Sequence, residues 1–241
     1  MITGSADIDR LAEGAATIEH WLGDEVAFEG VECFQMIAEM RSTAREAVLP
    51  AGLHPTVPPA LSIQVWNVAD GSFGPFSWAH TRVGCRSGVR ARGFTTAALV
   101  STEAAAAGLA GRFGFPARIG DVELRRHYDG IDVAAEGLRL TGLDPTPLAS
   151  SDVQYTGTMN LAYTPNGLRL VQVEARHSGD RVERIRGRIL EFDPGRWGDE
   201  LLDPYHVVST SIAVESVAMP AVRFVCRPEE LAFTGTEKVG I

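Results

Sequence analysis

The amino-acid sequence predicts a β-dominated α+β protein, with one large antiparallel sheet closed or folded on itself and a few peripheral helices. Beyond Pro116 the chain reads as short apolar stretches of strand period. They are separated by Asp129-Gly130, Pro165-Asn166-Gly167 and Ser178-Gly179-Asp180, which carry hairpin turn chemistry. Helical periodicity is confined to a few stretches before that point, and strands with few intervening helices favour antiparallel pairing.

In residues 7–22 the apolar side chains Ile8, Leu11, Ala15, Ile18 and Leu22 recur at spacings of three and four. This is the stripe of an amphipathic helix, so residues 1–24 are expected to lie on the outside of the main body. Residues 32–40 change to alternation, which predicts a half-buried strand with Gln35 and Glu39 on one face. A short helix is expected over 42–48. The prolines of 49–59 then impose an ordered loop, because proline interrupts both helix and central strand. Residues 61–68 alternate again, Asp70-Gly71-Ser72 turns the chain, and Gly74-Pro75 opens a strand over 76–85. A further apolar run, 93–100, leads to Ser101 or Thr102 as the cap of an alanine-rich helix ending near Arg112, with Glu103 in its first turn. Strands are expected over 122–127, 131–135, 138–141, 153–163, 168–175, 182–192, 206–216 and 222–226. Residues 229–241 read as a C-terminal tail. No linker or repeat divides residues 1–241, which predicts a single domain.

The 241 residues are 45% hydrophobic and 22% charged, enough apolar surface for one core. A formal charge of -9 at pH 7 offers phosphate backbones and anionic lipid no general attraction, so neither nucleic acid nor membrane is an expected partner. The first residues lack a basic region followed by an apolar one, and no apolar run approaches ~20 residues, so a cytoplasmic location is expected. Cys33, Cys85 and Cys226 have no C-x-x-C spacing and fit buried free thiols. His127-Tyr128-Asp129 and Asp203-Pro204-Tyr205-His206 put histidine near aspartate without a ligand cluster, so neither a metal nor a cofactor is expected. Tyr128 and Tyr205 stay open as pocket donors. The 22 basic residues comprise 21 arginines and one lysine, Lys238. Arginine stays protonated and cannot form an imine, which excludes lysine Schiff-base chemistry from the core.

A set of landmarks then falls into order: Leu49-Pro50, Pro58-Pro59, Gly74-Pro75-Phe76, and Gly111-Arg112-Phe113-Gly114-Phe115-Pro116 after the alanine helix. Arg188-Ile189-Leu190-Glu191-Phe192, Val207-Val208-Ser209-Thr210-Ser211-Ile212 and Met219-Pro220 continue it. Over roughly residues 25 to 228 the chain resembles the acetoacetate decarboxylase family, with Gly-Phe-Pro the most specific piece. The resemblance implies a closed or cone-like β-sheet, a small-molecule carbonyl substrate and assembly as a homo-oligomer. It also exposes departures. Two lysines follow the aromatic-Pro pair in that family, one forming the Schiff base and the other lowering its pKa; here Ala117 and Arg118 stand there. The family's two site carboxylates become Trp78 and Gln64.

Among candidate catalytic residues, His80 shares a strand face with Trp78 and offers an acid or base near neutral pH, or packs as an ordinary half-buried histidine. Arg118 offers a fixed charge for a carboxylate or enolate, or a structural salt bridge. Gln64, Trp78, Glu39, Phe115 and Arg112 form the candidate substrate-binding set. Glu39 also fits a solvated strand face, and Arg112 also fits a helix C-terminus. Two functions follow. The first is an enzyme acting without an imine on a small carbonyl, enol or polyketide-like metabolite of secondary metabolism, as a cyclase, dehydratase, isomerase or other lyase. The alternative is a non-catalytic small-molecule-binding protein. An apolar cavity where His80 and Arg118 converge favours the first, and one filled by Trp78 favours the second.

Overall fold

The computed structural model describes residues 2–149, 153 and 155–240. The chain runs α1 (Ile8–Glu13), β1 (Ala16–Thr17), β2 (Val26–Met40), α2 (Ala44–Ala47), β3 (His54–Pro55), β4 (Ala60–Gly71), β5 (Phe76–Ser87), β6 (Arg90–Val100), α3 (Glu103–Phe113) and β7 (Ala117–Ile119). It continues through β8 (Val122–Arg126), β9 (Gly130–Ala135), β10 (Leu138–Leu148), β11 (Gly157–Thr164), β12 (Gly167–Val173), β13 (Arg176–Phe192), β14 (Pro204–Met219), β15 (Phe224–Cys226), α4 (Ala232–Gly235) and β16 (Thr236–Lys238).

The described strands form one sheet whose main path is β16-β15-β12-β11-β6-β5-β4-β2-β14-β13-β10-β9-β8. The β-dominated class is as expected, but closure is not: the path ends on β16 and β8, which do not pair. Nor is the sheet wholly antiparallel, since β1 with β11, β11 with β6, and β7 with β6 run parallel. The β6–β7 pair follows from connectivity, because the chain leaves β6 through α3 and returns alongside it in the same direction.

Four further expectations change. The stripe over 7–22 is not one helix: α1 is capped by the Asp7 side chain and stops at Gly14. Beyond it Ile18 N donates to Tyr163 O at 2.8 Å, so these apolar residues dock as extended chain. Ser178-Gly179-Asp180 is no turn but part of β13, with a register shift against β14 between Gly179 and Arg181. The C-terminal tail adds β16, antiparallel to β15. The strand expected over 153–163 begins at Gly157, and its predicted start at 153–154 lies partly outside the described residues.

Alternation sorts the central strands onto two cores. Phe34, Val65, Ala79 and Leu99 face one, closed by Val48, Leu49 and Trp197. Trp66, Trp78 and Val100 face the other, closed by Leu109 and Phe113 of α3 and by Phe115. Each fully buried valine, leucine or phenylalanine among them contributes roughly 1.5–3 kcal/mol of transfer free energy. The Gly-Phe-Pro segment sets the exit from α3. Thr102 caps its start, and Gly114 adopts the left-handed conformation with φ 71°, its N–H bonding Ala110 O at 2.9 Å. A Cβ at Gly114 would lie 2.7 Å from that of Ala162, so glycine is required on both counts. This exit buries Phe115 and leads directly into β7.

Candidate active site

Five strands contribute to one cross-sheet row. Gln35 of β2 opposes Gln64 of β4, Gln64 opposes His80 of β5, His80 opposes Ala98 of β6, and Ala98 opposes Ala117 of β7. Directly paired residues project to the same face, so Ala117 belongs to the His80 face and Arg118 to the opposite one. Gln64 Nε2 donates to Gln35 Oε1 within this row.

On the same face of β5, Trp78, His80 and Arg82 follow at every second residue and border an inner cavity of about 60 Å³. Phe115, Tyr155 and His177 are among its other walls, as is Glu174, whose carboxylate is held by Arg92. Trp78 stacks on His80 with centroids 4.3 Å apart, and Phe115 meets Trp78 edge-on at 4.9 Å. Burial, reinforced by the Arg82 charge, holds the His80 imidazole well below its usual pKa of 6.5, so it is neutral at physiological pH.

Arg82 is 4% exposed. Its Nη1 donates to Thr156 O at 3.1 Å and Thr158 Oγ1 at 3.0 Å. Among the described residues it makes no ion pair. Burial brings its pKa down to about 10, which leaves it charged at neutral pH. Burying an ion costs several kcal/mol, and two hydrogen bonds to a charged donor return roughly 1.5–3 kcal/mol each. Four buried nitrogens of this wall, His80 Nδ1, Arg82 Nε, Trp66 Nε1 and Trp78 Nε1, have no hydrogen-bond partner among the described residues. Convergent polar groups of this kind make this cavity the candidate ligand site.

The remaining candidates lie elsewhere. Arg118 is half exposed; it donates to Arg196 O at 3.2 Å and lies 3.8 Å from Glu136. It borders an outer cleft of about 460 Å³ on the other side of Phe115, with Arg10, Arg196 and Asp199. The structure therefore does not bring Arg118 and His80 together. Arg112 donates to Asp24 O at 2.7 Å and fastens the end of α3 to the chain before β2. Glu39 accepts from the Tyr205 hydroxyl at 2.9 Å, at an exposed position away from the cavity. Tyr128 is fully exposed. Gln64, Trp78, Phe115 and His80 share the inner cavity. The three cysteines are buried free thiols, and Lys238 is exposed on β16.

Sequence reading missed Arg82, Tyr155, His177 and Glu215. Arg82 was within reach, since the two-residue rule that joins Trp78 to His80 extends one step further. His177 was hidden by its position beside Ser178-Gly179-Asp180. Nδ1 of His177 lies 2.9 Å from Glu215 Oε1, and its ring stacks on Tyr155 at 3.7 Å.

Comparison with known proteins agrees with this architecture. The profile of the acetoacetate decarboxylase family (ADC) matches residues 17–176. An acetoacetate decarboxylase from Legionella pneumophila subsp. pneumophila str. Philadelphia 1 superposes with a TM-score of 0.74 at 17% identity, covering 84% of this chain and 87% of that one. Another structure, from structural studies of acetoacetate decarboxylase, gives a TM-score of 0.73 at 13% identity over 91% of each chain. The enduracididine biosynthesis enzyme MppR, complexed with pyruvate, gives 0.64 at 16% identity, over 83% of this chain and 89% of its own. No curated protein matches in sequence. No described helix is long and apolar enough to cross a membrane.

Proposed function

The chain belongs to the acetoacetate decarboxylase family, and from that premise we propose that it acts on a small oxo acid or its enol without forming an imine. The observation that carries this reading is Arg82, a buried cation on the cavity wall with no carboxylate partner among the described residues. A ligand carboxylate supplies the missing counter-charge. Neutral His80 then faces the ligand's carbonyl or enol end, and Gln64 sits beside it in the same row. An imine is set aside because Ala117 occupies the row position and Lys238 lies on an exposed edge strand.

Cavity size narrows the substrate. A water needs roughly 10–15 Å³ of such volume, so about 60 Å³ suits a pyruvate-sized anion rather than a polyketide-like one. The pyruvate bound to MppR supports the same class. The reaction type is a dehydration, isomerisation, cyclisation or other lyase step that passes through an enol. A setting in secondary metabolism and assembly as a homo-oligomer belong to this reading by family analogy. Sequestration without turnover is the second reading, favoured by the Trp78–His80 stack that limits the cavity.

Titration with pyruvate, followed by the fluorescence of Trp66 and Trp78, tests the proposal. Saturable quenching is expected, with Arg82→Met weakening affinity by about tenfold or more, the worth of a charged hydrogen bond. No saturable change in the wild type, or equal affinity in Arg82→Met, would overturn it.

A further inference from the structure

We propose that His177, positioned by Glu215, takes and returns the proton on the carbon beside the ligand's carbonyl. This rests on the oxo-acid reading for its substrate and adds the base. Neither residue belongs to a motif, and β13 and β14 bring them together: His177 pairs with Val217, two residues along β14 from Glu215. The His177 side chain is 10% exposed and that of Glu215 1%.

The geometry fixes which nitrogen does what. A carboxylate oxygen accepts, so the contact of 2.9 Å places the proton on His177 Nδ1. Nε2 is left as the ring's acceptor. Tyr155 lies parallel to the imidazole at 3.7 Å and 8°, and Trp66 meets it edge-on at 6.0 Å. These contacts hold the ring plane. Tyr155 and Cys33 also interact with Glu215, which fixes the carboxylate that fixes the imidazole. His80, the other imidazole of the cavity, has Arg82 as its charged neighbour and an unpartnered Nδ1. The two histidines thus divide the work: His177 to remove a proton, His80 to stay neutral beside the oxygen.

In the step, the C–H bond breaks toward His177 Nε2, its electron pair forms the C=C bond, and the carbonyl becomes an enolate. The enolate is balanced by Arg82 and by the new imidazolium. Reversal restores the C–H bond, and in D2O it delivers a deuteron, so no further reactant is needed.

The test incubates the full chain with pyruvate in D2O and follows loss of the methyl proton signal by NMR, alongside the fluorescence titration. Wild-type protein is expected to exchange the methyl protons above the buffer rate. His177→Asn should slow this by about 100-fold or more, the usual range for a general base, with pyruvate affinity within about twofold. Glu215→Gln should lower the rate at saturating pyruvate by about tenfold and leave affinity unchanged, a split that a packing role would not produce. His177→Gln serves if His177→Asn does not fold. Binding without exchange in the wild type, or exchange retained in a folded His177 variant, overturns the base and leaves the oxo-acid reading standing. Absence of pyruvate binding overturns both.

Discussion

The indole of Trp78 lies on the imidazole of His80, with ring centroids 4.3 Å apart and planes inclined by 28°. Because the two are neighbours on one face of β5, the contact both limits the inner cavity and removes His80 from water. A position where the family resemblance implies a carboxylate is thereby an apolar wall, and the imidazole beside it is neutral.

Trp78→Ala should remove that wall. Truncating a buried tryptophan costs roughly 3–5 kcal/mol, so thermal unfolding should show a clearly lower Tm. The enlarged cavity should then accept phenylpyruvate, which the wild type excludes; competition against pyruvate fluorescence measures this.

Neutral burial of His80 makes stability depend on pH. Its folded pKa lies below the unfolded value of 6.5, so between the two the unfolded chain binds the extra proton. Stability from this residue is complete above about 6.5 and is lost as pH falls toward the folded value, at up to about 1.4 kcal/mol per pH unit. Denaturant unfolding at pH 7.5 and 5.5 should show a smaller loss in His80→Gln than in the wild type.

Arg118→Ala separates the two arginines. Its side chain belongs to the outer cleft, so pyruvate affinity should stay within about twofold, and loss of its surface ion pair should cost at most about 1 kcal/mol of stability. Arg82→Met should lose affinity while its Tm holds or rises, since an unpaired buried cation is unfavourable for folding.

Ala117→Lys tests the cross-sheet row. Ala117 lies on the His80 face but borders the outer cleft, so a lysine there must reach past Phe115 to meet Arg82, whose charge then lowers its pKa. Borohydride with pyruvate should attach one reduced pyruvate to this variant, seen by intact mass, and none to the wild type.

Much of the fold was legible because period-2 alternation and turn residues mark strands directly, as in β4 and β5, where it also placed Trp78 and His80 together. The alanine helix and its glycine exit were equally plain. Arg118 was not, since its face depends on the parallel register of β7 against β6, a tertiary fact. The His177–Glu215 pair was hidden for a related reason. Ser178-Gly179-Asp180 has the chemistry of a turn, yet serves as an irregularity within β13. At the N-terminus the apolar spacing persists through Ile18, but Gly14 ends the helix and strand pairing takes over.

A crystal structure of the wild-type protein soaked with pyruvate tests the central claim most directly. The expected result is density in the inner cavity, its carboxylate on Arg82 and its carbonyl toward His80, with no covalent link to the chain. Ligand held only in the outer cleft by Arg118 and Arg196, or joined to a lysine, would contradict it.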